Sequence, residues 1–245
     1  MLYEGVYKIA EHVFLLKTRY EYTHKLCSDY RTTEHPTFEI TITSDDVKFE
    51  RNKSVKEAEF EGKTPYDFED SYLESLSVLR KLTVILLDDG YILFHGSTIA
   101  LDGEAYIFTA KSGTGKSTHT GFWLKAFGDR CIMINDDKPI LKITDGRVEA
   151  FGSPWCGKQN LGNNVSFGVK AILALNRGEK NEVFPAERKE LFGLLLQQTH
   201  RPEGAENMVK LLPLVDKMSS SVKLFNIYCN LDENSALEIY NGTKG

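Results

Sequence analysis

The run Ala110-Lys111-Ser112-Gly113-Thr114-Gly115-Lys116-Ser117 brings together the residue types that hold phosphate. Glycine at 113 and 115 lets the backbone curl until successive N–H groups point inward at phosphate oxygens. Lys116 adds a mobile point charge within reach of the outer phosphates. Ser117 offers a hydroxyl to Mg²⁺, and a helix starting there would aim the positive end of its dipole at the same anion. With Ala110 in place of the usual first glycine, this is a P-loop pattern, and the apolar segment Ala105-Tyr-Ile-Phe-Thr109 leads into it as the motif requires. Residues 110–118, with Thr118 in the first turn of the helix, are therefore read as the binding set for a nucleoside triphosphate.

A second cluster, Asn135-Asp136-Asp137, closes the next apolar run. If that strand runs parallel to the one entering the loop, the two C-terminal ends share an edge and the Asp pair lies beside the phosphates. One carboxylate can then hold Mg²⁺ with Ser117, while the other is placed to take the proton of an incoming hydroxyl. Which Asp does which is open at this stage. His95, at the end of a strand and followed by Gly96, reads by itself more readily as a structural residue than as a functional one. His119, in the first turn of the expected helix, reads as packed or solvated. The remaining histidines have no ligand spacing, so no structural zinc site is expected. Gly152-Ser-Pro-Trp-Cys-Gly-Lys-Gln-Asn160 is dense in unusual types: Trp155 could pack or stack, and Lys158 could meet an anion. Cys156 has no His or paired thiol nearby in sequence to activate it. Arg177 ends the apolar run Ala171–Leu175 and is either a phosphate contact or a surface charge.

The surrounding elements must position these groups. Residues 1–66 carry strand-like runs, with period-two alternation in Thr37-Phe-Glu-Ile-Thr-Ile-Thr43, and read as a β-rich region. From 67 the pattern changes: Leu73, Leu76, Leu79, Leu82 and Leu86 fall at helical spacing behind an acidic start. Asp102-Gly103 between two apolar runs predicts a hairpin, so the strand entering the loop should have an antiparallel predecessor. A helix from Lys116 to about Phe127 and a strand from Cys131 to Asn135 follow. More strands reach to about 175, then helices near 187–199, 204–217 and 233–241, with a strand at 222–229.

Composition excludes several classes. The 245 residues carry 30 basic and 35 acidic side chains, a net charge of -5, with no like-charge run of five. Nothing there attracts nucleic acid or an anionic membrane surface. No apolar stretch reaches the length of a membrane span, and Met1-Leu-Tyr-Glu-Gly5 does not read as a secretory signal. Four scattered cysteines without a CxxC pair read as reduced thiols, and a cytoplasmic protein is the expectation.

The segment from His95-Gly-Ser-Thr-Ile-Ala through the loop to Asn135-Asp-Asp resembles the catalytic domain of HPr kinase/phosphorylase. Its Ser-Gly-Thr-Gly-Lys core and Asp pair are also similar to ATP-dependent phosphoenolpyruvate carboxykinase. A small bacterial kinase-like group, with a Gly-x-Pro-Trp-x-Gly-Lys segment and an Arg-Gly near 177, is similar as well. The resemblance implies an α/β fold with a mixed sheet, of the carboxykinase-like P-loop type, over 67–245, beside the small β-rich region 1–66. It implies ATP and Mg²⁺, catalytic roles for His95, Lys116, Asp136 and Asp137, and metal contacts from Ser117, Asp136 and Asp137. The acceptor it implies is a hydroxyl: a Ser in a protein or peptide, or a small molecule. Because HPr kinase is a hexamer, homo-oligomers are possible. Gly152–Asn160 stands where the HPr kinase signature would be, which argues against HPr itself as acceptor. The chain is also short, without a clear match for the oxaloacetate and second-metal residues of a carboxykinase. The alternative is a nucleotide-binding sensor, or a module that recruits a peptide through 1–66, without turnover.

Overall fold

The first alternating segment makes a hairpin: β1 (Tyr3–Ile9) and β2 (His12–Thr18) pair antiparallel from Tyr3↔Thr18 to Ile9↔His12. The structure, a computed structural model, describes residues 2–111 and 113–244. Its chain divides into two compact units, Met1–Ile85 and Leu86–Gly245. In the first, the short helix α1 (Tyr22–Leu26) precedes β3 (Phe38–Thr41), which joins β2 in parallel.

The first unit is less purely β than its sequence suggests. After the three strands comes a 17-residue helix, α2 (Ser44–Phe60), where only charged connecting chain was expected. Apolar periodicity could not reveal it, because Val47 and Glu50 are the residues it buries. Its start was legible instead as a capping box: Thr43 Oγ1 accepts from Asp46 N at 3.3 Å, and Asp46 Oδ2 accepts from Thr43 N at 2.9 Å. The long helix α3 (Asp70–Asp88) follows, burying Leu73, Leu79, Leu82 and Leu86 at the expected spacing. Its Glu74 is fully buried and accepts from the backbone N–H groups of Arg19 at 2.7 Å and Tyr20 at 3.0 Å.

The second unit contains β4 (Tyr91–Leu93), β5 (Ser97–Leu101), β6 (Glu104–Thr109) and α4 (Lys116–Phe127). Next come β7 (Cys131–Asn135), β8 (Ile140–Thr144), β9 (Arg147–Phe151), β10 (Ser166–Arg177) and β11 (Glu182–Pro185). The chain closes with α5 (Arg188–Gln198), α6 (Ala205–Ser221), β12 (Lys223–Cys229) and α7 (Ser235–Gly242). The strands form one mixed sheet in the order β4-β8-β9-β10-β6-β5-β7, with β12 also on β10 and β11 on β12. One core cluster takes Ile92 and Phe94, at one end of that order, together with Ile134 at the other. The sheet therefore curls, and its inner face is filled by Leu191 and Leu195 of α5 and Leu211, Val215 and Met218 of α6.

The opposite face packs against α4 and α7. Trp123 of α4 is almost wholly buried between Tyr106 and Phe108 of β6, with ring centroids 5.2 and 5.4 Å away. Burying so large a side chain is worth about 3–5 kcal/mol by the cost of its truncation. That packing fixes α4 on the strand that precedes the loop. No helix among the described residues is long and apolar enough to cross a membrane. All four cysteines are free.

Candidate functional site

Strand direction decides what meets at the sheet's edge. The hairpin at Asp102-Gly103 makes β5 antiparallel to β6, and β5 is antiparallel to β7 as well. So β6 and β7 run the same way, although they are not neighbours. β10 is parallel to β6, and β12 to β10. Four strands thus deliver their C-terminal ends to one edge, where α/β sheets characteristically bind ligands.

The loop leaves β6 at that edge. Ala110 is buried under it, while Lys111 and Gly113 are exposed. Ser112 lies outside the described residues. Gly113 and Gly115 take φ of +77° and +116°, left-handed conformations that side-chain-bearing residues rarely adopt. Thr114 Oγ1 donates to Lys111 O at 2.7 Å, bracing the turn. Gly115 is the N-cap of α4, so Lys116, Ser117 and Thr118 form its first turn with N–H groups unclaimed by the helix. Lys116 Nζ folds back onto Ala110 O at 3.3 Å. Burial lowers the pKa of this lysine, and the nearby Asp137 opposes that shift. One turn on, Thr120 is buried and shares a hydrogen bond of 2.8 Å with Ser97 of β5. His119 is also buried, which lowers its pKa.

The acidic pair leaves β7 at the same edge. Asn135 shapes the turn: its Oδ1 accepts from the backbone of Asp137 at 2.8 Å and of Lys138, while its Nδ2 donates to Ser153 O at 3.0 Å. That positioning role was not assigned from sequence, although Asn is the residue whose side chain mimics a backbone turn. Asp136 is buried, and Gly157 N donates to its Oδ1 at 2.6 Å. Burial raises the pKa of Asp136, Asp137 adds to the rise, and the Gly157 N–H works against it. Asp137 is more open. Its carboxylate faces Lys138 Nζ on one oxygen and His95 Nε2 at 3.4 Å on the other.

His95 reaches this point because it sits just before β5, with its backbone N–H donating to Gln198 O at 2.7 Å and Gly96 N donating to Asp137 O at 3.1 Å. Burial lowers the His95 pKa, Lys116 lowers it further, and Asp137 offsets only part of that. Neutral imidazole is therefore the favoured form near pH 7.

The stretch Gly152–Asn160 packs against the acidic turn. Gly152 passes so close to Asn163 that a Cβ would stand 1.9 Å from its carbonyl oxygen, so only glycine fits. Trp155 is buried, Lys158 is exposed, and burial pushes the Cys156 thiol up to about 12. A thiol held protonated in this way is no nucleophile. On the other flank of the loop, Arg177 at the end of β10 donates from Nη2 to Gly113 O at 2.8 Å.

No family model matches the chain, and no curated protein matches it. Among solved structures it is similar to the Hpr(Ser) kinase/phosphatase from Coxiella burnetii, at 11% identity and a TM-score of 0.34. The similarity covers 62% of this chain and 93% of that one. So loose a likeness marks a distant structural relationship and carries nothing about chemistry.

The chemistry rests on geometry. Among the described residues no three His, Cys, Asp or Glu side chains gather as a metal cluster. A cation at this edge would draw on Ser117, an Asp carboxylate and oxygens of a bound phosphate, which is how Mg²⁺ is usually held beside nucleotides.

Proposed function

We propose that the chain is a phosphotransferase of the HPr kinase-like type. It binds ATP with Mg²⁺ at residues 110–118 and passes the terminal phosphoryl group to a hydroxyl, a Ser of a protein or peptide or a small-molecule alcohol. The observation that carries this reading is the meeting of a P-loop and an acidic pair at one sheet edge, with His95 3.4 Å from Asp137.

The residues divide the work by environment. Loop N–H groups and the start of α4 bind the phosphates, and Lys116 neutralises charge on the outer ones. Bound Mg²⁺ would supply further charge neutralisation, held by Ser117 with Asp136. Asp136 suits that role because burial and its neighbour both penalise its bare charge. A cation beside it removes that penalty. Asp137, more open and flanked by Lys138 and His95, takes the proton of the acceptor hydroxyl. The hydroxyl oxygen then bonds to phosphorus as the bond to the β-phosphate breaks, leaving a nucleoside diphosphate. Neutral His95 orients Asp137 and the acceptor without adding a competing charge.

Purified protein with ATP and Mg²⁺ should release ADP when the right hydroxyl is supplied from a panel of seryl peptides, free serine and small alcohols. Lys116→Ala should cut that turnover by about ten- to a hundredfold, and by more if the contact forms mainly in the transition state. Wild-type turnover in the variant would sink the assignment. Saturable ATP binding with no ADP under any condition would favour the sensor or recruiting module.

A further inference from the structure

The loop has two flanks. On the β5 and β7 side stand Asp136, Asp137, His95 and Lys116. On the β10 and β12 side lies a cavity of about 620 Å³, bounded by the loop's Ala110, Gly113 and Thr114 and by the ends of the two parallel strands. That volume is within the usual range of small-ligand sites, about 300–1,000 Å³. Resting on the kinase reading above, we propose that this cavity receives the nucleoside of the triphosphate, so that the nucleotide crosses the loop with its terminal phosphate toward Asp137.

Away from Lys111 and Arg177 at its loop side, the lining fits a flat heterocycle with polar edges. Leu191 and Leu194 contribute an apolar surface from α5, three residues apart on one helix face. Asn226 and Asn176 contribute two amides. Asn226 pairs with Ala174 in register, so Asn176, two residues further along β10, projects to the same face of the sheet. Asn176 Nδ2 donates to the carbonyls of Ala174 at 3.2 Å and Ile227 at 3.4 Å. Two carbonyl partners fix which end of the amide is nitrogen, and its Oδ1 is left as an acceptor for an amine or hydroxyl. Asn226, half-buried, makes no side-chain hydrogen bond among the described residues, so its amide can both donate and accept there. Two cations border the cavity on its loop side: Lys111, which is exposed and can meet the phosphates next to the nucleoside, and Arg177, which donates to Gly113 O and thereby ties the cavity wall to the loop. Polar groups of both kinds beside an apolar wall are what a base and ribose require.

The inference separates from the kinase reading by using a ligand that lacks the nucleoside. Calorimetry would compare Mg²⁺-ATP with Mg²⁺-tripolyphosphate on the wild type and on Leu194→Trp, which fills the cavity, and Asn226→Leu, which removes one amide. The wild type should bind ATP more tightly than tripolyphosphate. Leu194→Trp should weaken ATP by about tenfold or more, and Asn226→Leu by about three- to tenfold, with tripolyphosphate unchanged in both. Equal wild-type affinity for the two ligands would overturn the subsite and leave the loop reading intact. So would unchanged ATP affinity in a folded Leu194→Trp or Asn226→Leu protein. Should wild type bind neither ligand, the loop reading fails and the subsite fails with it.

Discussion

The carboxylates Asp46 and Glu50 of the first unit and Asp136 of the second differ in the kind of partner they have. In the first unit Asp46 sits at the start of α2. Its oxygens accept from Lys81 Nζ at 2.7 Å, Arg80 Nη2 at 3.1 Å and Thr43 N at 2.9 Å. Burial pushes its pKa up, but the bonds from Lys81, Thr43 and Arg80 outweigh that and hold it at about 2. Glu50 nearby is matched to Arg80 Nε at 2.5 Å. In the second unit Asp136 is more deeply buried and, among the described residues, meets no cation as a hydrogen-bond partner; Gly157 N donates to its Oδ1, and its pKa moves the other way. A carboxylate matched to cations is held ionised and stabilises the fold, whereas one without them is penalised for its charge, as Glu74 and Asp136 both are; of those two, only Asp136 stands at the loop's edge.

The comparison breaks most visibly at Asp46. Asp46→Ala removes half of the capping box and takes one acceptor each from Arg80 and Lys81, which keep Glu50 and Thr41 O respectively, so it should lower folding stability by about 2–3 kcal/mol in urea titrations. Tripolyphosphate affinity, read below the unfolding midpoint, should not change. An unchanged midpoint would mean that the cluster is ornamental and that matching to cations is no sign of a structural role.

Asp136→Asn should act in the opposite sense. Because the folded carboxyl is raised, its contribution is present below its ordinary pKa and is lost as pH rises through the folded value. At pH 7 the ionised group is therefore a burden. The amide should raise stability by about 0.5–1 kcal/mol while lowering turnover by about a hundredfold or more. A loss of stability at pH 7 would show that Asp136 is structural after all.

The smallest effect is the pH profile of the first cluster. Asp46 is depressed, so its contribution is complete above about pH 4 and is lost as pH falls through about 2. The stability gap between wild type and Asp46→Asn should close over that window. A gap independent of pH would assign the loss to the cap alone.

Much of the second unit was readable along the chain. The strand, loop and helix around Lys116 are local in their causes: glycines that permit positive φ, an apolar strand before and a helix after. The hairpin at Asp102-Gly103 likewise needs only its own turn residues. The helix α2 escaped because a helix that buries so little has no apolar stripe, and its capping box is a local signal of another kind.

What the sequence determined by itself was the set of groups available: a glycine-rich loop of P-loop pattern, an acidic pair, a histidine and a mildly acidic net charge. Tertiary structure decided which of these meet. Only the order of strands, with β5 antiparallel between β6 and β7, brings the Asp pair to the loop's edge and His95 to Asp137. It also placed Gly157 on Asp136 and Arg177 on Gly113, contacts spanning 21 and 64 residues of chain. Residue types and spacing act over a few positions, where backbone sterics and local hydrogen bonds rule. Contacts so far apart in sequence exist only because burying both faces of one curled sheet leaves its strand ends a single edge to share.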